Sequence, residues 1–406
     1  MTRVLKHLTD IVSESLHGGL WQTASFASRL LFLVLVMPFL PSGELASYVF
    51  ATSIAVLVAR LLLLGLDDEL PLVVRADYAR AKQLFPIVVF VWMLLPLIVG
   101  AGVVSGSWLP YALLLGTTGA TGLYLSGVVR TLSPADFERL QNLQWVLFGL
   151  LAVTQLFSTA ESLIVLRSVC ALSTQLLIVF KQRLFSLPSW QSMSKLLAEL
   201  WDNAQHSWYK LASNLSLVGA MRGYILWPAA LATGPRLDTV AFAVACGEAL
   251  WQMGMVFAHR RYARFSELRD AVVGEGRSVI ASAFVLVGAF SLVVLLGIWA
   301  VEYLGLFPSA HSSRMVAEAA LFYIFLAGFC LLRFLLWSLR KFEWTVIGIL
   351  IAIISVQGAI VYFFEPDKWF PIATVACMLA LMVISGLVFH ATRGAAQRSG
   401  VSSRTV

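Results

Sequence analysis

Charge is what this chain has least of. Of its 406 residues only 13% are Asp, Glu, Lys or Arg, while 59% are hydrophobic. Soluble domains carry about 25% charged residues. With a mean hydropathy of +0.84, a soluble globular domain is excluded and an integral membrane protein is called for. Cysteine is scarce as well: Cys170, Cys246, Cys330 and Cys377 each lie inside an apolar run. Neither a disulfide framework nor a zinc site is indicated by that placement, and the four read as small core residues. The short alternating segments of a membrane β-barrel are missing too, because the apolar stretches run to about 20 residues. The expected fold class is therefore all-α and polytopic. Residues 1 to 18 are not expected to be a secretory leader: VLKHLTDIVSESLH, from Val4, has no continuous apolar core and no small-residue cleavage site. Val4, Leu5, Leu8, Val12 and Leu16 recur near helical spacing and predict a short helix lying on the membrane surface. No catalytic motif and no cofactor signature appears.

Twelve spans are predicted, near 19–41, 45–66, 84–104, 109–129, 142–160, 163–181, 211–232, 237–258, 279–303, 314–336, 344–364 and 369–390. With the N-terminus cytoplasmic, 21 basic residues fall on the inner side and three, Arg236, Arg314 and Lys368, on the outer. So lopsided a count sets the orientation, with both termini cytoplasmic. It also accounts for the net charge of +7 without invoking nucleic acid. The outer loops are short, Pro41 to Glu44, Ser105 to Trp108 and Glu365 to Lys368 among them, which leaves no room for an external domain. The longest polar segment, 182–210, carries an apolar stripe of Met193, Leu196, Leu197, Leu200 and Trp201. It reads as an amphipathic linker along the inner surface, or equally as a loop helix packed under the bundle.

Sliding the chain along itself by 193 residues lays Arg222 on Arg29. Each arginine stands in an apolar run, followed by a proline (Pro38, Pro228), a tight turn and a second apolar run. Two six-helix halves, 1–190 and 191–406, are expected, with a site near the midplane, as in secondary transporters built from internal repeats. An intramembrane arginine normally faces a cavity or a partner. On the first helix Gln22 and Ser25 precede Arg29 by seven and four residues, which puts all three on one narrow polar stripe. Arg29 as a structural arginine bound to backbone carbonyls is the competing reading. Glu248 lies thirteen residues after Pro235 and Arg222 thirteen before it. Both are thus roughly 20 Å from the turn and at one depth of an antiparallel hairpin. At that depth of the first hairpin stand Ser53, Ile54 and Ala55, with no acid. Arg29 is therefore expected to meet the substrate more directly than Arg222.

Three stretches carry a family resemblance: GLDDELPLVV from Gly65, LSGVVRTLSPADFERLQNLQWVL from Leu125, and MRGYILWPAALATGPRLDTVAFAVACGEALWQMGMVFAHRRYARFSEL from Met221. The chain resembles the polysaccharide flippases of the multidrug/oligosaccharidyl-lipid/polysaccharide flippase superfamily in span number, repeat and loop lengths. Where members commonly have an acid soon after the seventh-span arginine, this chain has Tyr224. The resemblance implies translocation of undecaprenyl-pyrophosphate-linked oligosaccharide from the cytoplasmic to the periplasmic leaflet of a bacterial inner membrane, by alternating access. The glycan would serve O-antigen, capsule or exopolysaccharide. It also implies as partners the lipid-linked oligosaccharide, membrane lipids, and as further candidates a polymerase and other glycan-assembly proteins. Arg29, Arg222, Gln22, Ser25 and Glu248 are the candidate substrate-binding residues; guanidinium suits a diphosphate through charge-assisted, often bidentate bonds.

Two other readings stay open. A drug or cation exporter of the same superfamily would want several cavity acids, and only Glu248 is plainly intramembrane, with Glu318 nearer an end. A membrane glycosyltransferase would use the cluster Asp67, Asp68 and Glu69, here expected on the cytoplasmic side. Arg60, Arg167 and Arg333 lie near span ends and are expected to snorkel to the interface. Gly219 and Gly223 form a small-xxx-small pair for close helix packing. Trp92, Trp108, Trp145, Trp299, Trp344 and Trp369 fall near predicted boundaries and read as interfacial anchors.

Overall fold

The computed structural model describes residues 27–29, 32, 36, 40–64, 109–132, 134–154, 157–181, 183–184, 190–230, 237–267, 269–305, 310–338 and 342–398. The expected third span, the acids Asp67, Asp68 and Glu69, and the anchors Trp92 and Trp108 lie outside these residues. Among the described residues there is no strand, and ten helices can be delimited: α1 (Glu44–Leu63), α2 (Leu109–Leu132), α3 (Pro134–Ala152), α4 (Ala160–Lys181), α5 (Trp190–Ala230), α6 (Leu237–Glu267), α7 (Arg269–Tyr303), α8 (Ala310–Ser338), α9 (Glu343–Phe363) and α10 (Pro366–Arg398). Six helical segments among them are long and apolar enough to cross a membrane: in α1, α4, α7, α8, α9 and α10. The chain is an all-α, multi-pass membrane protein.

Local chemistry sets the ends. Gly43 takes φ +86°, a left-handed conformation that glycine adopts at no steric cost, and the Glu44 N–H donates to the Pro41 carbonyl at 3.1 Å. That closes the expected turn and starts α1. Pro366 opens α10, where its missing N–H costs nothing. Between Trp190 and Val218 there is neither glycine nor proline, so helix runs without a break through the segment expected as a separate linker, and α5 is one helix of 41 residues. Falling hydropathy marks where a helix leaves lipid, not where it stops. α6 and α7 likewise extend past their predicted spans into the basic stretch around residue 268.

Among the described residues the packing divides into two compact units, one within Gly18–Gly219 and the other within Ala220–Val406. In the first, α1 packs on α2, α2 on α4, and α3 against both α2 and α4. Gly116 sits so close to Val58 that a Cβ there would meet its Cγ1 at 2.8 Å, the close backbone approach that drives association where lipid removes the hydrophobic incentive. Two polar ties pin these helices. Gln175 Nε2 donates to the Thr118 carbonyl at 2.8 Å, over the gap left by Gly122. The Glu44 carboxylate accepts the Ala160 N–H at 2.5 Å, capping α4 from the start of α1.

In the second unit α8 is the central helix, with α6, α7 and α10 around it and α9 against α10. Some 83% of its apolar window is buried, against 12% for α7. On α7, Phe284, Val285, Leu292, Val293, Leu296 and Trp299 stay exposed. For a helix in hydrocarbon that is the resting state, since lipid is as apolar as leucine.

Candidate functional site: the intramembrane arginines

In the first unit the helical piece carrying Arg29 lies against α3. A Cβ on Gly149 would meet the Ser28 carbonyl oxygen at 2.8 Å, so the two backbones touch. One turn before Gly149 on the same face stands Trp145, and the Arg29 guanidinium lies over its ring, 3.9 Å from the centroid. The same ring carries a second cation: the Arg167 guanidinium of α4, 4.5 Å from the centroid. Arg167 Nη1 also donates to the Tyr48 hydroxyl of α1 at 3.4 Å. Phe32 packs against Tyr48 at 5.7 Å and Phe148 at 4.8 Å between centroids, and Phe148 meets Trp145 at 6.0 Å. Four elements thus converge on two guanidinium groups set in an aromatic frame. Arg29, Arg167 and Trp145 are half-buried.

The two guanidinium carbons can be no farther apart than their ring distances laid end to end, about 8 Å, so their repulsion is at least roughly 2 kcal/mol at an effective dielectric of about 20. The cation–π contacts oppose it, at about 0.5–2 kcal/mol each. Among the described residues no carboxylate forms an ion pair with Arg167. Gln22 and Ser25 lie outside the described residues.

In the second unit Arg222 of α5 and Glu248 of α6 form an ion pair through Nε and Oε1, their side chains 8% and 10% exposed. Expected at one depth of the hairpin, the two residues stand side by side. Their surroundings are held from three directions. Tyr323 of α8 donates its hydroxyl to the Met221 carbonyl at 2.5 Å, and its ring lies on Gly247. Gln357 of α9 donates Nε2 to the Ala220 carbonyl at 2.7 Å, and its Oε1 rests on Gly223. Tyr224 is fully buried among Phe322, Trp369 and Phe370.

Several expectations are corrected by this geometry. The Arg167 head rests on Trp145 and Tyr48 of the same unit. Trp145, expected as an anchor, carries two cations on its ring. Arg333 is 1% exposed, because it lies on the central α8 and is enclosed by neighbours. Trp369, 3% exposed, stacks on Tyr224 with centroids 6.0 Å apart, and its indole N–H donates to the Phe364 carbonyl at 2.8 Å. Trp299 and Trp344 remain exposed, and Arg60 is half-buried in the last turn of α1. Cys170, Cys330 and Cys377 are buried and Cys246 half-buried. Among the described residues no group of His, Cys, Asp and Glu is placed to hold a metal ion.

No model of a protein family matches this chain, and no curated protein matches it in sequence. Solved structures do match. An inward-facing multidrug resistance MATE family transporter of the MOP superfamily has a TM-score of 0.61 at 14% identity, over 93% of this chain and 96% of that one. The lipid II flippase MurJ, in its inward closed conformation, has a TM-score of 0.62 at 10% identity, over 94% and 91%. A MOP superfamily transporter from Pyrococcus furiosus, whose binding pocket is described as of reverse polarity, has a TM-score of 0.53 at 12% identity, over 94% of each chain. At such identities the likeness is one of fold, and it extends along nearly the whole chain.

Proposed function

We propose that this membrane protein is a flippase that carries undecaprenyl-pyrophosphate-linked oligosaccharide from the cytoplasmic to the periplasmic leaflet of a bacterial inner membrane, by alternating access. Both termini face the cytoplasm, as the distribution of basic residues requires. The observation that carries this reading is the half-buried Arg29 guanidinium spread on Trp145. A diphosphate with a glycan attached cannot cross hydrocarbon unaided and needs fixed cationic donors on its route. Arg29 supplies one, and Gln22 and Ser25, at helical spacing from it in the sequence, are the neutral donors expected beside it; Arg222, balanced by Glu248, plays the lesser part. Membrane lipids and glycan-assembly proteins such as a polymerase are the partners this role brings.

Fold alone does not choose between flippase and drug exporter, because MATE and MurJ structures match about equally. Charge supports the flippase reading: an exporter of cations needs intramembrane acids open to its cargo, and among the described residues Glu248 is paired with Arg222. Deleting the chain should abolish surface glycan and leave lipid-linked oligosaccharide accumulating inside. Arg29→Ala should do the same at normal protein abundance, and Arg29→Lys should restore part of the glycan, since it keeps the charge and loses the fork. A deletion strain with normal surface glycan that has become sensitive to cationic dyes would replace this reading with the exporter.

A further inference from the structure

Resting on the flippase reading, we propose that Arg167 and Trp145 join Arg29 in one clamp for a diphosphate, built entirely within the first unit, with the Tyr48 hydroxyl as a further donor. Arg167 stands seven residues into α4, about 10 Å along the helix from its start. A permanent charge at that depth persists only where something repays its desolvation. For Arg222 that is Glu248. For Arg167 it is, among the described residues, a tryptophan face and a phenol, which steady a guanidinium without neutralising it.

The manner of holding matters. A ring face engages the flat of a guanidinium and leaves the N–H groups at its edge pointing outward in the plane, where a phosphate fork is met. Among the described residues Arg167 donates only through Nη1, to Tyr48, out of five N–H donors. The Tyr48 oxygen accepts that bond, and among the described residues its own proton remains to be donated. Two guanidinium groups share one indole, 3.9 and 4.5 Å from its centroid, a span that two linked phosphate groups can bridge from one cation to the other. A single phosphate reaches one. The class of ligand that fits is therefore a diphosphate, whether free or esterified to an isoprenoid lipid.

The test uses the full-length purified protein, following the part of its tryptophan emission that Trp145→Phe removes. The probes are inorganic diphosphate, farnesyl diphosphate and orthophosphate. Both diphosphates should perturb that emission, with orthophosphate at least tenfold weaker. Tighter binding of farnesyl diphosphate would identify a lipid source, and equal binding a free diphosphate; either supports the clamp. Arg167→Gln should weaken diphosphate at least tenfold, Tyr48→Phe less, and Arg314→Gln, on the exposed start of α8, not at all. Should Arg167→Gln fail to fold, Arg167→Lys keeps the charge and should still narrow the preference for diphosphate over orthophosphate. Well-folded Arg167→Gln or Arg167→Lys protein with wild-type diphosphate affinity would overturn the clamp. Arg167-dependent diphosphate binding, in a protein whose deletion leaves surface glycan intact, would keep the clamp and discard the flippase.

Discussion

Removing one member of the Arg222–Glu248 pair should cost far more than removing both. The two side chains are nearly buried, and Tyr323 and Gln357 fix the α5 backbone at Met221 and Ala220, so α5 cannot retreat from a stranded charge. Breaking a buried pair costs about 3–5 kcal/mol, whereas replacing the whole pair by apolar residues of similar volume is close to neutral. The two single substitutions are not equivalent. Glu248→Leu leaves a guanidinium that stays charged at any working pH. Arg222→Met leaves a carboxylate that can take a proton and shed its charge, and should therefore cost less, least of all in acid. For a unit of this size about 2–4 °C of melting midpoint accompanies each kcal/mol, so Glu248→Leu should lower the midpoint by about 6–20 °C. The assay is loss of the monodisperse peak on heating the detergent-solubilised protein, for both singles and for Arg222→Met with Glu248→Leu. The double variant should return close to wild type. A double whose loss equals the sum of the two singles would show no coupling and refute the reasoning.

Two further outcomes follow from packing. Gly223→Ala would push a methyl onto Gln357 Oε1 and Gly247→Ala onto the Tyr323 ring, while Gly348 faces open space. The first two should lower the melting midpoint, by the overpacking cost of about 1–3 kcal/mol, and Gly348→Ala should leave it unchanged. Glu44→Gln keeps an acceptor for the Ala160 N–H but loses the charge that strengthens it; a loss of about 1 kcal/mol is expected, read as faster proteolysis at the α1 and α4 starts.

How much could be read beforehand depended on whether a feature is local. The turn at Gly43, the cysteines in apolar runs and the depth match of Arg222 with Glu248 all follow from counting along a helix of fixed rise. Arg29 was legible as a charge in the wrong solvent. Its ring was not: Trp145 is more than a hundred residues away, and only the close approach permitted by Gly149 brings them together. Arg333 was misjudged for a plain reason. Nearness to the end of an apolar run says how far a side chain must reach for water, but not whether neighbouring helices block the way. Only the packing tells a central helix such as α8 from a peripheral one such as α7. The continuity of α5 was concealed by polarity, although its lack of glycine and proline from Trp190 to Val218 was in plain view.

The burial of the cysteines has a use at the bench. Three of the four thiols are buried and the fourth half-buried, each within an apolar stretch, and buried structural cysteines of this kind are inert to thiol reagents. The native chain is accordingly its own blank. A cysteine placed anywhere on its accessible surface, at Arg314 for instance, should report reagent access and spin-label mobility against a near-silent background, with no cysteine-free variant to build first and none of its packing disturbed.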